Sequence, residues 1–155
     1  MILRALTALF LLQLALTATL YWPEAESDAD VSALIDLSPD QIDRITLRDA
    51  ENTETVIVRS SDPEAWVADG LPVDSDRVNT LLNALTTQDP GYPIATSEAA
   101  TKRFRVGPDA FERELILESA AGEFTVYLGS SPSFRNIHAS RAGETRVFVL
   151  ELNSY

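Results

Sequence analysis

The amino-acid sequence predicts an α+β domain: an antiparallel sheet built from about three β-hairpins, packed on one main amphipathic helix and preceded by an N-terminal apolar helix. Three observations carry that expectation. Alternating segments come in pairs around short polar turns, at 44–49 with 55–59, 111–118 with 124–128, and 137–141 with 146–151. One segment, 75–86, has helical spacing and a single apolar stripe. The six glycines are dispersed at turns instead of being gathered into a nucleotide-binding loop.

Taken in chain order, residues 1–23 read as a targeting segment. Arg4 is followed by an uncharged run from Ala5 to Tyr21, then Trp22-Pro23 and an abrupt acidic stretch. Neither Leu16/Ala18 nor Thr17/Thr19 is a good small-residue pair for signal peptidase, which favours an uncleaved anchor over a cleaved signal peptide. Ile2 to Trp22 counts 21 residues, and about 20 are needed to cross a hydrocarbon core. Arg4 before the span and acids after it place the start of the chain in the cytoplasm. The expected placement is therefore the inner membrane, single-pass, with the C-terminal domain in the periplasm or outside the cell. Residues 24–33 read as a solvated acidic tether, and 34–155 as the domain.

Ser38-Pro39 opens a short helical turn, with Pro at the first helical position. In 44–49, Ile45 and Leu47 share one face and Arg44, Thr46 and Arg48 the other; 55–59 completes the hairpin, with Trp66 as an aromatic plug beneath it. In the helix, Val78, Leu81, Leu82 and Leu85 form the stripe, Asp76, Arg77, Asn79 and Asn83 face water, and Asp74 is the N-cap. A break at 88–93 precedes a shorter helical segment from Ser97 to near Phe104. The first and second hairpins resemble each other at an offset of 70, pairing Ile45-Thr46-Leu47 with Leu115-Ile116-Leu117 and Val58 with Leu128.

The formal net charge is −12, from 12 Lys+Arg and 24 Asp+Glu. The acidity is concentrated in 24–76, with 15 acids and three arginines, whereas 77–155 holds nine acids and eight bases. This balance excludes nucleic acid as a primary partner, since displacing counterions from a phosphate backbone takes a basic stripe. The absence of Cys removes disulfides, thiolate metal sites and a cysteine nucleophile.

Candidate chemistry is sparse. His138 is the only histidine, and Ser140 is two residues on, about 7 Å away at ~3.3–3.4 Å per residue along a strand, too far for a direct hydrogen bond. His138 is therefore read as a surface or strand-edge residue. The acidic pairs Asp74/Asp76 and Glu112/Glu114 read as a helix cap and a solvated strand face, because 24 acids in a small domain make close pairs inevitable. No catalytic residue, metal ligand or cofactor is expected. Lys102-Arg103-Phe104-Arg105 is the basic cluster; an acidic partner, lipid headgroups or the acidic front half of the chain could meet it, and the overall acidity favours the last. Lys102, Arg103, Arg105 and Arg141 form the candidate interaction surface.

The order of an apolar span, an opening hairpin, Trp66, Leu71-Pro72-Val73-Asp74 leading into Arg77-Val78-Asn79-Thr80-Leu81-Leu82, then Phe104, Leu128-Gly129, Arg141 and Val147-Phe148 resembles the uncharacterised bacterial family called domain of unknown function 4340. Phe104-Arg105-Val106 stands where that family commonly has aromatic-Gly-Leu, and Ala139-Ser140-Arg141 where it has aromatic-aliphatic-Arg. The resemblance implies an anchored, non-catalytic accessory or adaptor domain of an envelope transport assembly, of the ABC-type export or gliding-motility kind. Its expected partner is a membrane protein such as an ABC-type permease. The acidic front half motivates an alternative, a module binding an envelope cation or glycan. A third reading is a hydrolase using His138 or the paired carboxylates.

Overall fold

In the computed structural model the chain divides into two units, Met1–Asp30 and Val31–Tyr155. The structure describes residues 33–61 and 65–152, together with Phe10 and Gln13, which are helical and exposed. The expected anchor and tether therefore lie almost wholly outside the described residues. No helix among the described residues is long and apolar enough to cross a membrane.

The second unit is an antiparallel sheet with two helices, in keeping with the α+β expectation. Its elements are a 3-10 turn (Pro39–Gln41), β1 (Ile42–Asp49), β2 (Glu54–Arg59), β3 (Trp66–Ala68), β4 (Leu71–Pro72), α1 (Ser75–Thr86), α2 (Glu98–Phe104), β5 (Val106–Gly107), β6 (Ala110–Phe111), β7 (Arg113–Ser119), β8 (Gly122–Leu128), β9 (Asn136–Arg141) and β10 (Phe148–Glu151). Eight strands make one sheet in the order β10-β9-β8-β7-β1-β2-β3-β4, and β5 and β6 pair separately. The expected count of about six is thus too low. Trp66 lies in a strand of its own, and β4 follows it through a turn in which Asp69 and Gly70 both take positive φ.

The strand order is symmetrical about the central β1–β7 pair, each half being a four-stranded meander. Thr46 sits opposite Ile116, Ile45 opposite Leu117 and Leu47 opposite Leu115. A local two-fold axis relating residues 70 apart produces this pairing. The offset slips by one beyond the turns: Thr46 pairs with Val56, but Ile116 with Thr125. Val58 accordingly faces away from the core while Leu128 faces into it, so the expected match of Val58 with Leu128 does not hold. The cause is the longer first turn, where the Asp49 carboxylate accepts from the amides of Glu51 and Thr53, both at 2.9 Å. These bonds, that from Thr53 foremost, hold the Asp49 carboxyl below its ordinary pKa.

One face of the sheet carries the main core. Ile45, Leu115, Leu117, Val126, Ala139, Phe148 and Leu150 pack with Val78, Leu82 and Leu85 of α1, and Leu34 and Ile35 close the layer. Asp74 caps α1 as expected, accepting from the Arg77 amide at 3.3 Å. Asn79, expected to face water, is half-buried and accepts a hydrogen bond from Trp66 Nε1 at 3.2 Å, because β3 runs beside the first turns of the helix. The chain enters the domain through a clamped arm, in which the Ile35 amide donates to the Leu85 carbonyl at 2.9 Å and Arg141 Nε donates to the Leu34 carbonyl at 3.1 Å.

The second face is covered over only part of its width. Phe104 and Ala100 of α2, Val106 and Phe111 pack with Tyr127 and Val147 into a smaller core on the β8–β10 side. Arg105 ends α2 in the left-handed conformation with φ of 59°, the backbone state that glycine adopts most readily. Both sheet edges are blunted. β4 has two residues, one of them Pro72. The β10 edge is occupied by the Ile94 amide and the Ala95 carbonyl, each 2.8 Å from its partner on Val147, and by the Gln88 amide, turned to meet both backbone groups of Glu151 at 3.2 Å.

Candidate interaction surface

On the second face, cross-strand register aligns side chains in rows across β1, β2, β7 and β8. One row runs Glu54, Arg48, Glu114, Tyr127 and on to Ser140 in β9; the next runs Val56, Thr46, Ile116, Thr125; the third runs from Val67 in β3 through Val58, Arg44, Glu118 and Glu123. Val56, Val58, Val67 and Ile116 are half-buried, whereas the core-facing Ile45, Leu115 and Leu117 are at most 1% exposed. This portion of the face is therefore an aliphatic strip open to solvent. Ion pairs run alongside it: Arg44 with Glu118 at 3.5 Å in the row of Val58 and Val67, and Arg48 with Glu54 at 3.5 Å and Glu114 at 2.6 Å in the row on the other side of Val56 and Ile116.

Glu114 departs from its expected place on a solvated face, being only 8% exposed. Its carboxylate is compensated by Arg48 and lies opposite Tyr127 of β8. Burial first, then the Glu114 and Asp109 carboxylates, push the Tyr127 hydroxyl above its ordinary pKa, against the opposing charge of Arg48. Glu112 is set apart from Glu114 by the break between β6 and β7, and pairs with Arg105 at 3.2 Å. The two carboxylates do not act as a couple.

The basic cluster disperses. Lys102 pairs with Glu98 one helical turn back at 3.2 Å, Arg105 pairs with Glu112, and the Arg103 guanidinium lies 5.6 Å from the centre of the Phe104 ring. Pairing is internal, as expected, but the partners belong to the second half of the chain and not to its acidic front. Arg141 and Lys102 meet: both line a cleft of about 200 Å³ between α2, the β5–β6 turn and the β9–β10 turn. Arg103 and Arg105 are not among its lining residues. Glu98 and Glu144 line it as well, together with Thr101, Asp109, Tyr127 and Thr145, which sequence reasoning did not single out. The Gly107-Pro108-Asp109 turn was the one local signal; the rest is assembled by long-range packing.

His138 is 6% exposed, not a surface residue. Its Nδ1 lies 3.0 Å from Ser130 Oγ, and its ring lies 4.3 Å from that of Phe104, centre to centre. Ser130 also bonds the Phe104 carbonyl through its amide at 2.9 Å and its hydroxyl at 3.3 Å. This histidine–serine pair ties the end of α2 to the β8–β9 connection. Ser140, on the same face as His138, donates to the Arg146 carbonyl at 2.8 Å. Among the described residues, no group of three or more His, Asp or Glu is placed to hold a metal ion.

Compared with known proteins, the chain matches no family model, no curated protein and no solved structure.

Proposed function

We propose that the protein is a membrane-tethered, extracytoplasmic accessory domain that docks by its open sheet face onto an envelope membrane protein, without chemistry of its own. The observation that carries this reading is the aliphatic strip Val56, Val58, Val67 and Ile116 with ion pairs alongside it. An apolar centre with a charged rim is the anatomy of a protein–protein contact. The apolar segment at 2–22 and the acidic stretch after it support a tether that holds this face outside the membrane. The resemblance to domain of unknown function 4340 supports a transport-associated partner such as an ABC-type permease. Copurification of the tagged full chain from solubilised membranes tests the reading. A stoichiometric envelope membrane protein is expected, and recovery of the chain alone contradicts it.

A further inference from the structure

The cleft under α2 is independent of the open sheet face, and its hydrogen-bonding balance is one-sided. Three hydroxyls line it, and two have their protons committed elsewhere: Thr101 Oγ1 donates to the Glu98 carbonyl at 2.8 Å and Thr145 Oγ1 to the Thr96 carbonyl at 3.1 Å, while the third, Tyr127, stands opposite Glu114 in the sheet. Thr101 and Thr145 therefore present only lone pairs to a ligand. Both cations of the lining are also engaged, Lys102 by Glu98 at 3.2 Å and Arg141 by Glu144 at 3.5 Å and by the Leu34 carbonyl. Glu144 is further paired with Arg146 at 2.8 Å. What remains is Asp109, a carboxylate that makes no hydrogen bond or ion pair among the described residues. The cleft thus offers acceptors and one uncompensated negative charge, beside apolar walls from Val106, Pro108 and Ala110. Its volume of about 200 Å³ falls below the ~300–1,000 Å³ of sites for drug-sized ligands, so it suits a single side-chain-sized group.

We propose that this cleft binds an alkylammonium group, its three N–H donors on the Asp109 carboxylate and the Thr101 and Thr145 oxygens, its methylenes on Val106, Pro108 and Ala110. An anion is disfavoured because both cations of the lining already have a carboxylate partner, Glu98 and Glu144, and the Asp109 carboxylate would repel it. Two sources share this chemistry, a free aliphatic amine and a lysine side chain of a partner protein, and separate probes distinguish them. The test titrates the full-length ¹⁵N-labelled chain with 1,4-diaminobutane and, separately, with Nα-acetyl-lysine N-methylamide, following backbone amides of 98–107, 109–110 and 143–145. Saturable shifts confined to these amides are expected with at least one probe; diaminobutane alone marks a free amine, the lysine amide alone a protein side chain. Asp109→Asn, a same-shape change in an exposed turn, should weaken binding about fivefold or more. Glu123→Gln, at the opposite end of β8 from Tyr127 and outside the cleft, should leave it unchanged. No saturable shift with either probe, an unaltered Asp109→Asn, or an equal loss in Glu123→Gln overturns the proposal.

Discussion

Gly129→Ala is expected to lower stability by about 3 kcal/mol, near the upper end of overpacking costs, because what it strikes is backbone and cannot rotate away. A Cβ at Gly129 would lie 2.0 Å from the Phe104 carbonyl oxygen and 2.4 Å from that of Arg105. Room for it exists only if the end of α2 lifts from the sheet. That movement would break the bond from the Ser130 amide to the Phe104 carbonyl, 2.9 Å, and draw Phe104 off His138. Gly91→Ala provides the contrast. Gly91 has a φ of +67° but nothing within 4 Å of the added carbon, so only the conformational penalty applies, about 1 kcal/mol. Urea denaturation of the two variants should rank them in that order, and equal losses would show that the contact at Gly129 relaxes.

The second large effect is expected at Trp66, which is 0% exposed. Trp66→Ala should cost about 4 kcal/mol, the usual range for truncating a fully buried aromatic. Three features share the indole. It fills the main core, its Nε1 donates to Asn79, and its face lies 4.4 Å from the Arg59 guanidinium. Arg59 in turn donates to the Ile42 and Pro39 carbonyls, at 2.8 and 2.9 Å from Nη2, so the tryptophan supports the start of β1 as well as the helix. Trp66→Phe separates these contributions. It keeps most of the burial and the ring face but leaves Asn79 without its donor, and should cost about 1–2 kcal/mol. A Trp66→Phe as damaging as Trp66→Ala would mean that the hydrogen bond lost in both, and not the burial that Phe keeps, governs the site.

Elements that show a period over six or more residues were legible in the sequence. Alternation in β1, β2, β7, β8 and β9, and the stripe of α1 with its Asp74 cap, place side chains on the faces they occupy. β3 and β4 were not legible, because strands of three and two residues are too short to display a period of two; Trp66 was recognised as buried but not as part of a strand. The misplacement of Glu114 and of His138 has a different cause. Each was judged from its own strand, but its burial is decided by neighbours: Arg48 and Tyr127 across the sheet for Glu114, Ser130 and Phe104 for His138. Asn79 belongs with them, since the stripe rule assigns it to solvent and only β3 beside the helix turns it inward. The cleft was less legible still. Lys102 and Arg141 were singled out as charges, yet Asp109, Tyr127 and Thr145 join them only after β6, β8 and the β9–β10 turn have converged.

The central claim is that the strip around Val58 is the docking face of an envelope-tethered domain. It is tested most directly by a photo-crosslinking residue placed at Val58 in the full chain in living cells, compared with the same residue at Thr87, exposed at the end of α1. The account predicts a discrete crosslink to an envelope membrane protein from position 58 and none from position 87. No crosslink from either position, or the same product from both, would contradict it.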